Sequence, residues 1–245
     1  MSDSMLPGLP MNGPRSLLLV TGIAEGVGAR IAATFAHAGY DVVGLARSDT
    51  AAGMIDGVVT AAGGTYIHRC ADLTRPPEVA AALAPDLGRI SVVVHNAHAL
   101  LIKPFGQLDE AEFERVWRVT CLGAMTVARM VLPHMTAAGS GVLIFTGATA
   151  SVRGNARFAA FASAKFALRG LAQSLAREYG PSGIHIVHVV LDGLLDEPQT
   201  DRRFGSALGV RMDADAVART YLSLAGQDRS CWTHELDLRP YAERF

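Results

Sequence analysis

The amino-acid sequence predicts an α/β fold: one doubly wound parallel sheet of about seven strands with helices on both faces. Three observations predict it. Short apolar or β-branched runs alternate with longer segments of helical spacing along the whole chain. The runs SLLLV, SVVV and IVHVVL are apolar without interruption, which suits strands covered on both faces. The segment TGIAEGVG sits between the first such run and the first helical segment, and ligands of these sheets bind beyond the carboxyl ends of the strands.

Taken in order, residues 16–21 read as the first strand and 26–38 as the helix after it. Strand 41–46 is followed by helix 50–62, strand 65–70 by helix 76–84, and strand 90–95 by helix 109–137. Strand 141–146 then precedes helix 155–180, strand 184–191 precedes helix 213–225, and strand 232–238 completes the sheet. The connection 192–212 is long for this architecture, and its part from 194 to 212 is expected to form a lid over the site, with a disordered insertion as the alternative. Residues 1–15 carry three prolines and place their one basic residue, Arg15, last, so they read as a flexible arm rather than a secretion signal. The even spread of apolar segments makes residues 16–245 a single domain.

Charged residues make up 18% of the chain and the formal net charge is −1, which gives no electrostatic grip on nucleic acid or an anionic membrane. No apolar stretch reaches the ~18 residues of a membrane span. A small-molecule ligand and a cytoplasmic location are expected. Cys70, Cys121 and Cys231 lie far apart with no metal-ligand spacing, so no metal site is expected and they read as core or near-core thiols of a reducing compartment.

Gly22, Gly26 and Gly28 are placed where a strand turns into a helix. A glycine there permits a tight turn, another lets the backbone approach a pyrophosphate, and the helix N-terminus offers free N–H groups and partial positive charge to it. The rest of the loop, Ala24, Glu25 and Val27, shares that position. At the end of the second predicted strand stand Ala46 and Arg47. An arginine there suits the 2′-phosphate of NADP, whereas an acidic residue would suit NAD. NADP is therefore the first expectation and NAD the second.

The spacing T-G-x-x-x-G-x-G resembles that of the short-chain dehydrogenase/reductase family, whose fold is of the Rossmann type. Further segments are similar to that family's in the same order over residues 16–237. Asp72 in ADLT, with Leu73 beside it, resembles the family aspartate that meets the adenine. HNAH keeps Asn96 and Ala97 of the family's N-N-A-G and has His98 for its last glycine. DGLLDEP is similar to P-G-x-x-x-T, with Gly193 retained, Leu194 after it and Asp192 where proline is usual. The resemblance implies a dinucleotide held by these residues and by Lys165.

The family's chemistry uses a Tyr-x-x-x-Lys pair, a serine thirteen residues before the tyrosine and an asparagine on the preceding helix. By resemblance Lys165 fills the lysine position, while Phe161 replaces the tyrosine, Ala148 the serine and Thr120 the asparagine. The related pattern with tyrosine seven residues before the lysine finds Phe158. A tyrosine acid is worth about 10²–10⁴ in rate, or about 3–5.5 kcal/mol of barrier. Phenylalanine has no proton to give.

Three readings stay open. One is an oxidoreductase that draws on another donor, among Thr146, Thr149, Ser151 and His98, or acts on a substrate needing little acid help, such as an iminium or activated alkene. The second is a catalytically silent NADP(H)-binding protein, a sensor or oligomer partner; the third is a non-redox enzyme on the same fold. Lys165, Asn96 and the glycine loop favour the first. Phe105, Phe158 and Phe161 suggest a small apolar substrate. Helix 155–180 is apolar on more than one side, and by analogy with relatives implies a homodimer or homotetramer.

Overall fold

The computed structural model describes residues 15–205 and 210–242. All but the last residue of the expected N-terminal arm therefore lies outside the described residues, as do 206–209 of the expected lid.

Seven parallel strands form one sheet in the order β3-β2-β1-β4-β5-β6-β7. They are β1 (Leu17–Thr21), β2 (Asp41–Ala46), β3 (Tyr66–Cys70), β4 (Ile90–His95), β5 (Gly141–Thr146), β6 (Ile184–Leu191) and β7 (Glu235–Leu238). Successive residues of a strand face opposite sides, and the two cores divide accordingly. Leu18, Val20, Val92, Val94, Ile144, Val187 and Val189 pack against α1 (Val27–His37), α2 (Ala52–Ala61) and α8 (Ala214–Ala225). Leu17, Leu19, Val43, Leu45, Val93, Leu143, Phe145 and Ile186 pack against α3 (Pro76–Leu83), α5 (Gly123–Ala138) and α6 (Ala159–Tyr179). This explains the unbroken apolar runs: neither face of a central strand meets water.

Helix starts follow local chemistry. Asp109 and Glu112 form a capping box at α4 (Glu110–Trp117), Asp213 caps α8, and prolines open α3 and α7 (Pro198–Phe204). Helix α1 begins after Gly26, and its N-cap residue supplies no side-chain cap.

Several expected boundaries are corrected. The helix expected over 109–137 is α4 and α5 joined by a π-helical turn, Arg118–Leu122. The wider turn places Thr120 so that its hydroxyl accepts from the Ala99 N–H (3.4 Å) and its carbonyl from His95 Nε2 (3.2 Å). Helix α6 starts at Ala159 rather than 155 because the residues before it form a turn, with Phe158 N–H donating to Asn155 O and Arg157 at φ 71°. Strand β7 is shorter than 232–238, since Trp232 stacks flat on His185 (4.8 Å, 6°) and Thr233 N–H donates to Gln227 Oε1 instead of extending the ladder. Cys121 is buried, but Cys70 and Cys231 are exposed, Cys70 because it ends the edge strand β3.

Phe35 lies fully buried in the core between α1 and the sheet, where no small side chain would fill its volume. Phe35→Ala should lower the unfolding free energy by about 3–5 kcal/mol, measured as a shift in urea midpoint at unchanged slope.

Candidate functional site

Strand order reverses between β1 and β4, and the loops leaving the strands part there. A cavity of about 560 Å³ opens at that point. Its wall is made of the residues that follow β1 to β6 in turn: the glycine loop, Arg47 and Ser48, Asp72 and Leu73, Asn96 to Leu100, Thr146 to Ala148, and Gly193 to Leu195.

The glycine loop is held close to β4. Gly22 has φ +67°, and a Cβ on it would stand 2.4 Å from Ala97 Cα, so a side chain is excluded by conformation and by contact alike. Gly26, at φ +103°, turns the chain into α1. Gly28 differs: a Cβ there would make only ordinary contact with Ile23 (3.5 Å) and Asn96 Nδ2 (3.7 Å).

Arg47 is exposed on the wall of the same cavity, and its charge acts on Asp72. Burial opposes ionisation of Asp72, but the Thr74 N–H and hydroxyl, both 2.8 Å from its Oδ1, outweigh it and hold the carboxyl below its ordinary pKa. Asp72 is thus a fixed anion in a turn.

Lys165 comes from the first turns of α6 and is 2% exposed. Its Nζ donates to the Thr146 carbonyl (2.7 Å) at the end of β5 and stands 5.7 Å from the centroid of the Phe161 ring. Removal from water lowers its pKa to about 7. The Phe161 ring forms part of the wall, with His98 edge-on (5.9 Å) and Phe158 tilted against it (6.5 Å). At the end of β4 His95 is buried and neutral, its pKa pushed to about 3 by burial first and Lys165 second. Its Nε2–H donates to Thr120 O and its Nδ1 accepts from the Thr21 hydroxyl (2.8 Å).

Most of the expected site residues therefore share one cavity: Gly22, Ala24, Glu25, Val27, Gly28, Arg47, Asp72, Leu73, Asn96, Ala97, Ala148, Phe161, Lys165, Gly193 and Leu194. Gly26 and Thr120 do not line it. Thr120 is fully buried behind the wall.

The four alternative donors separate. Thr149 donates to the buried Asp192 (2.5 Å), which also pairs with Arg153 and Arg239, and Ser151 accepts from Ala148 N–H (3.1 Å); neither lines the cavity. Thr146 lines it, and its hydroxyl accepts from the buried Tyr221 (3.0 Å). His98 also lines it; its Nδ1 faces the Asn96 carbonyl (3.2 Å), and desolvation, then Lys165, lower its pKa.

Phe105, expected in the pocket, is 77% exposed on a surface turn. The wall is also more polar than the phenylalanines suggested. It includes Arg115 of α4, and Glu197, Gln199, Thr200 and Arg203 from the start and body of α7. The expected lid 194–212 contains Glu197, Gln199, Thr200 and Arg203, and Glu197 falls on the threonine position of P-G-x-x-x-T. Nothing in the sequence singled these side chains out, because α7 reaches the site only when its loop folds back; Arg115 had no such signal.

Comparisons with known proteins agree with this architecture. The family described as short chain dehydrogenase matches residues 16–202. A short-chain dehydrogenase structure from Rhodopseudomonas palustris is 35% identical, with a TM-score of 0.79 over 93% of this chain and 100% of that one. The structure of a metagenomic short-chain oxidoreductase in complex with NADP is 26% identical, with a TM-score of 0.81 over 93% and 98% of the two chains. The 3-alpha-(or 20-beta)-hydroxysteroid dehydrogenase of Mycobacterium bovis is 30% identical over 220 residues, 86% of this chain and 83% of that protein. The match to peroxisomal multifunctional enzyme A of Dictyostelium discoideum, 28% identical over 186 residues, spans 42% of that protein. The chain belongs to the short-chain dehydrogenase family.

The buried lysine carries a stability consequence. With its folded pKa lowered from 10.5 to about 7, the unfolded chain holds a proton that the folded chain has released between those pH values. Its destabilising contribution is full below about pH 7 and fades as pH rises toward 10.5. Lys165→Met should therefore melt higher than the parent in neutral solution, by about 2–4 °C for each kcal/mol regained, with the gap narrowing in alkaline calorimetric scans.

Proposed function

We propose that the protein is an NADP(H)-dependent oxidoreductase whose reaction centre lacks the family's acid, acting on a small apolar carbonyl, imine or activated alkene. One observation carries the reading: the glycine loop, Asp72, Asn96 and a buried Lys165 line one cavity with Phe161 and Ala148. The fit to a dinucleotide is supported by the cradle at Gly22, where a Cβ has no room, and by a crevice continuous from Arg47 to Lys165.

In this reading the glycine loop and the N-terminus of α1 hold the pyrophosphate, and Arg47 holds the 2′-phosphate through charge-assisted bonds, with NAD as the second choice. Asp72 and Leu73 flank the adenine, while Asn96, Ala97, Gly193 and Leu194 line the path to the nicotinamide. When bound, the nicotinamide supplies or takes the hydride. Lys165 holds the nicotinamide ribose. The Phe161 and Ala148 side chains offer no hydrogen bond to a developing alkoxide, and the Thr120 hydroxyl is buried behind the wall, outside the cavity. Of the four positions compared with the family's reactive groups, only Lys165 can release a proton at Nζ near neutral pH. A substrate that needs orientation more than protonation suits such a centre.

The lid reading for 194–212 is supported by Gln199, Thr200, Arg203 and Phe204, which face the cavity. A homodimer or homotetramer is supported by Phe166 of α6 and Phe113 and Trp117 of α4, which leave apolar surface exposed. No helix among the described residues is long and apolar enough to cross a membrane. The free thiols Cys70, Cys121 and Cys231 fit a cytoplasmic location. Loss of both tyrosine and serine favours, as the second reading, a dinucleotide-binding protein without turnover.

NADPH should bind, and a panel of imines and enones should consume it faster than ketones do; tight binding with no consumption would select the silent reading. The double variant Phe161→Tyr with Ala148→Ser should raise ketone reduction by about 10² or more, followed at the nicotinamide absorbance.

A further inference from the structure

The dinucleotide reading puts a pyrophosphate at the start of α1, and in this structure that place is taken. The first N–H of the helix, on Val27, donates to Glu197 Oε2 at 3.1 Å, across 170 residues of chain. The same oxygen fills the space left by the missing side chain of Gly26, where a Cβ would stand 2.1 Å from it. A carboxylate oxygen on a helix N-terminal N–H is chemically what a phosphate oxygen would be there: an anionic acceptor on a partial positive charge. In the P-G-x-x-x-T pattern the threonine position falls on Glu197, so a charged group stands where the family has a neutral hydroxyl.

The carboxylate is presented by a loop closed at its base. Asp196 N–H donates to Met212 O (2.9 Å) and Met212 N–H to Leu194 O (2.8 Å), while Arg211 pairs with Asp201 (2.6 Å) and donates to Gly205 O (2.5 Å). Glu197 itself is the N-cap position of α7, whose Gln199, Thr200 and Arg203 line the same cavity. Occupying the seat is not free of opposition. Burial, and to a smaller extent the Glu25 carboxylate, raise the pKa of Glu197 against the lowering effects of Val27 N–H and Arg202.

We propose that Glu197 is an internal competitor of the dinucleotide: its carboxylate holds the anion seat of α1 in the empty protein, and the pyrophosphate binds by displacing it together with the start of α7. Two anions cannot share one N–H donor, so the affinity for cofactor is reduced by the fraction of molecules in which Glu197 is seated. Glu197 thereby sets how tightly the site takes its dinucleotide. The residue also couples cofactor entry to movement of the segment that borders the substrate end.

The inference rests on the dinucleotide reading, and one titration separates the two. NADPH is titrated into the full chain, followed by its fluorescence, for the parent, Glu197→Gln and Glu197→Ala; Gln keeps the length and loses the charge, and Ala loses both. Both variants should bind roughly 3- to 30-fold tighter, the range that an N-cap contact of ordinary strength represents. Binding by the variants alone would support the proposal in its strongest form. A parent that binds NADPH and cooperatively melting variants that bind no tighter overturn the competitor and leave the dinucleotide reading standing. If neither parent nor variants bind NADPH or NADH, both fall.

Discussion

The end of α1 that points at the cavity carries backbone N–H groups that its own N-cap residue does not satisfy, and the site is organised around that deficit. Two other helices are closed locally: Asp109 and Asp213 cap α4 and α8 from the adjoining residue. At α1 the adjoining residue is Gly26, which has no side chain to offer. Buried or half-buried N–H groups need an acceptor. Here the acceptor comes from 170 residues further along the chain, as Glu197, and a diphosphate is the other chemical class that fits.

Lys165 shows a second tension of the same kind. Burying an ammonium in a protein interior is unfavourable unless it is paired, and here Nζ donates to a backbone carbonyl, that of Thr146. The imbalance appears in its lowered pKa and in those of the neighbouring His95, His98 and His188, each of which feels burial first and the Lys165 charge second. A group so placed is costly to keep for packing alone. Its place in the cavity wall beside Phe161 and Ala148 fits a cavity that takes a polar ligand.

Much of the site was legible because its parts are local. A glycine turn after a strand, an Asp-x-Thr turn and an Asn-Ala pair each announce themselves within a few residues, and the sheet then gathers all of them at one edge because parallel strands bring their carboxyl ends together. Thr120 was placed in the correct helical region but not behind the wall, since a π-helical turn cannot be inferred from apolar spacing that suits an unbroken helix. Phe105 illustrates the opposite error: an aromatic side chain suggests a pocket, yet it lies at a surface turn.

The sequence by itself determined the alternation of strands and helices, the two-sided burial of the sheet and the glycine cradle after the first strand, because each depends on residue type at short range. Only the tertiary structure decided that Glu197 seats itself on α1, that Thr149 and Ser151 are engaged outside the cavity, and that Arg115 and Arg203 border it. These are contacts between segments distant in sequence. Such contacts are fixed by the closing of loops against a finished core, and no periodicity in the chain records where a loop will come to rest.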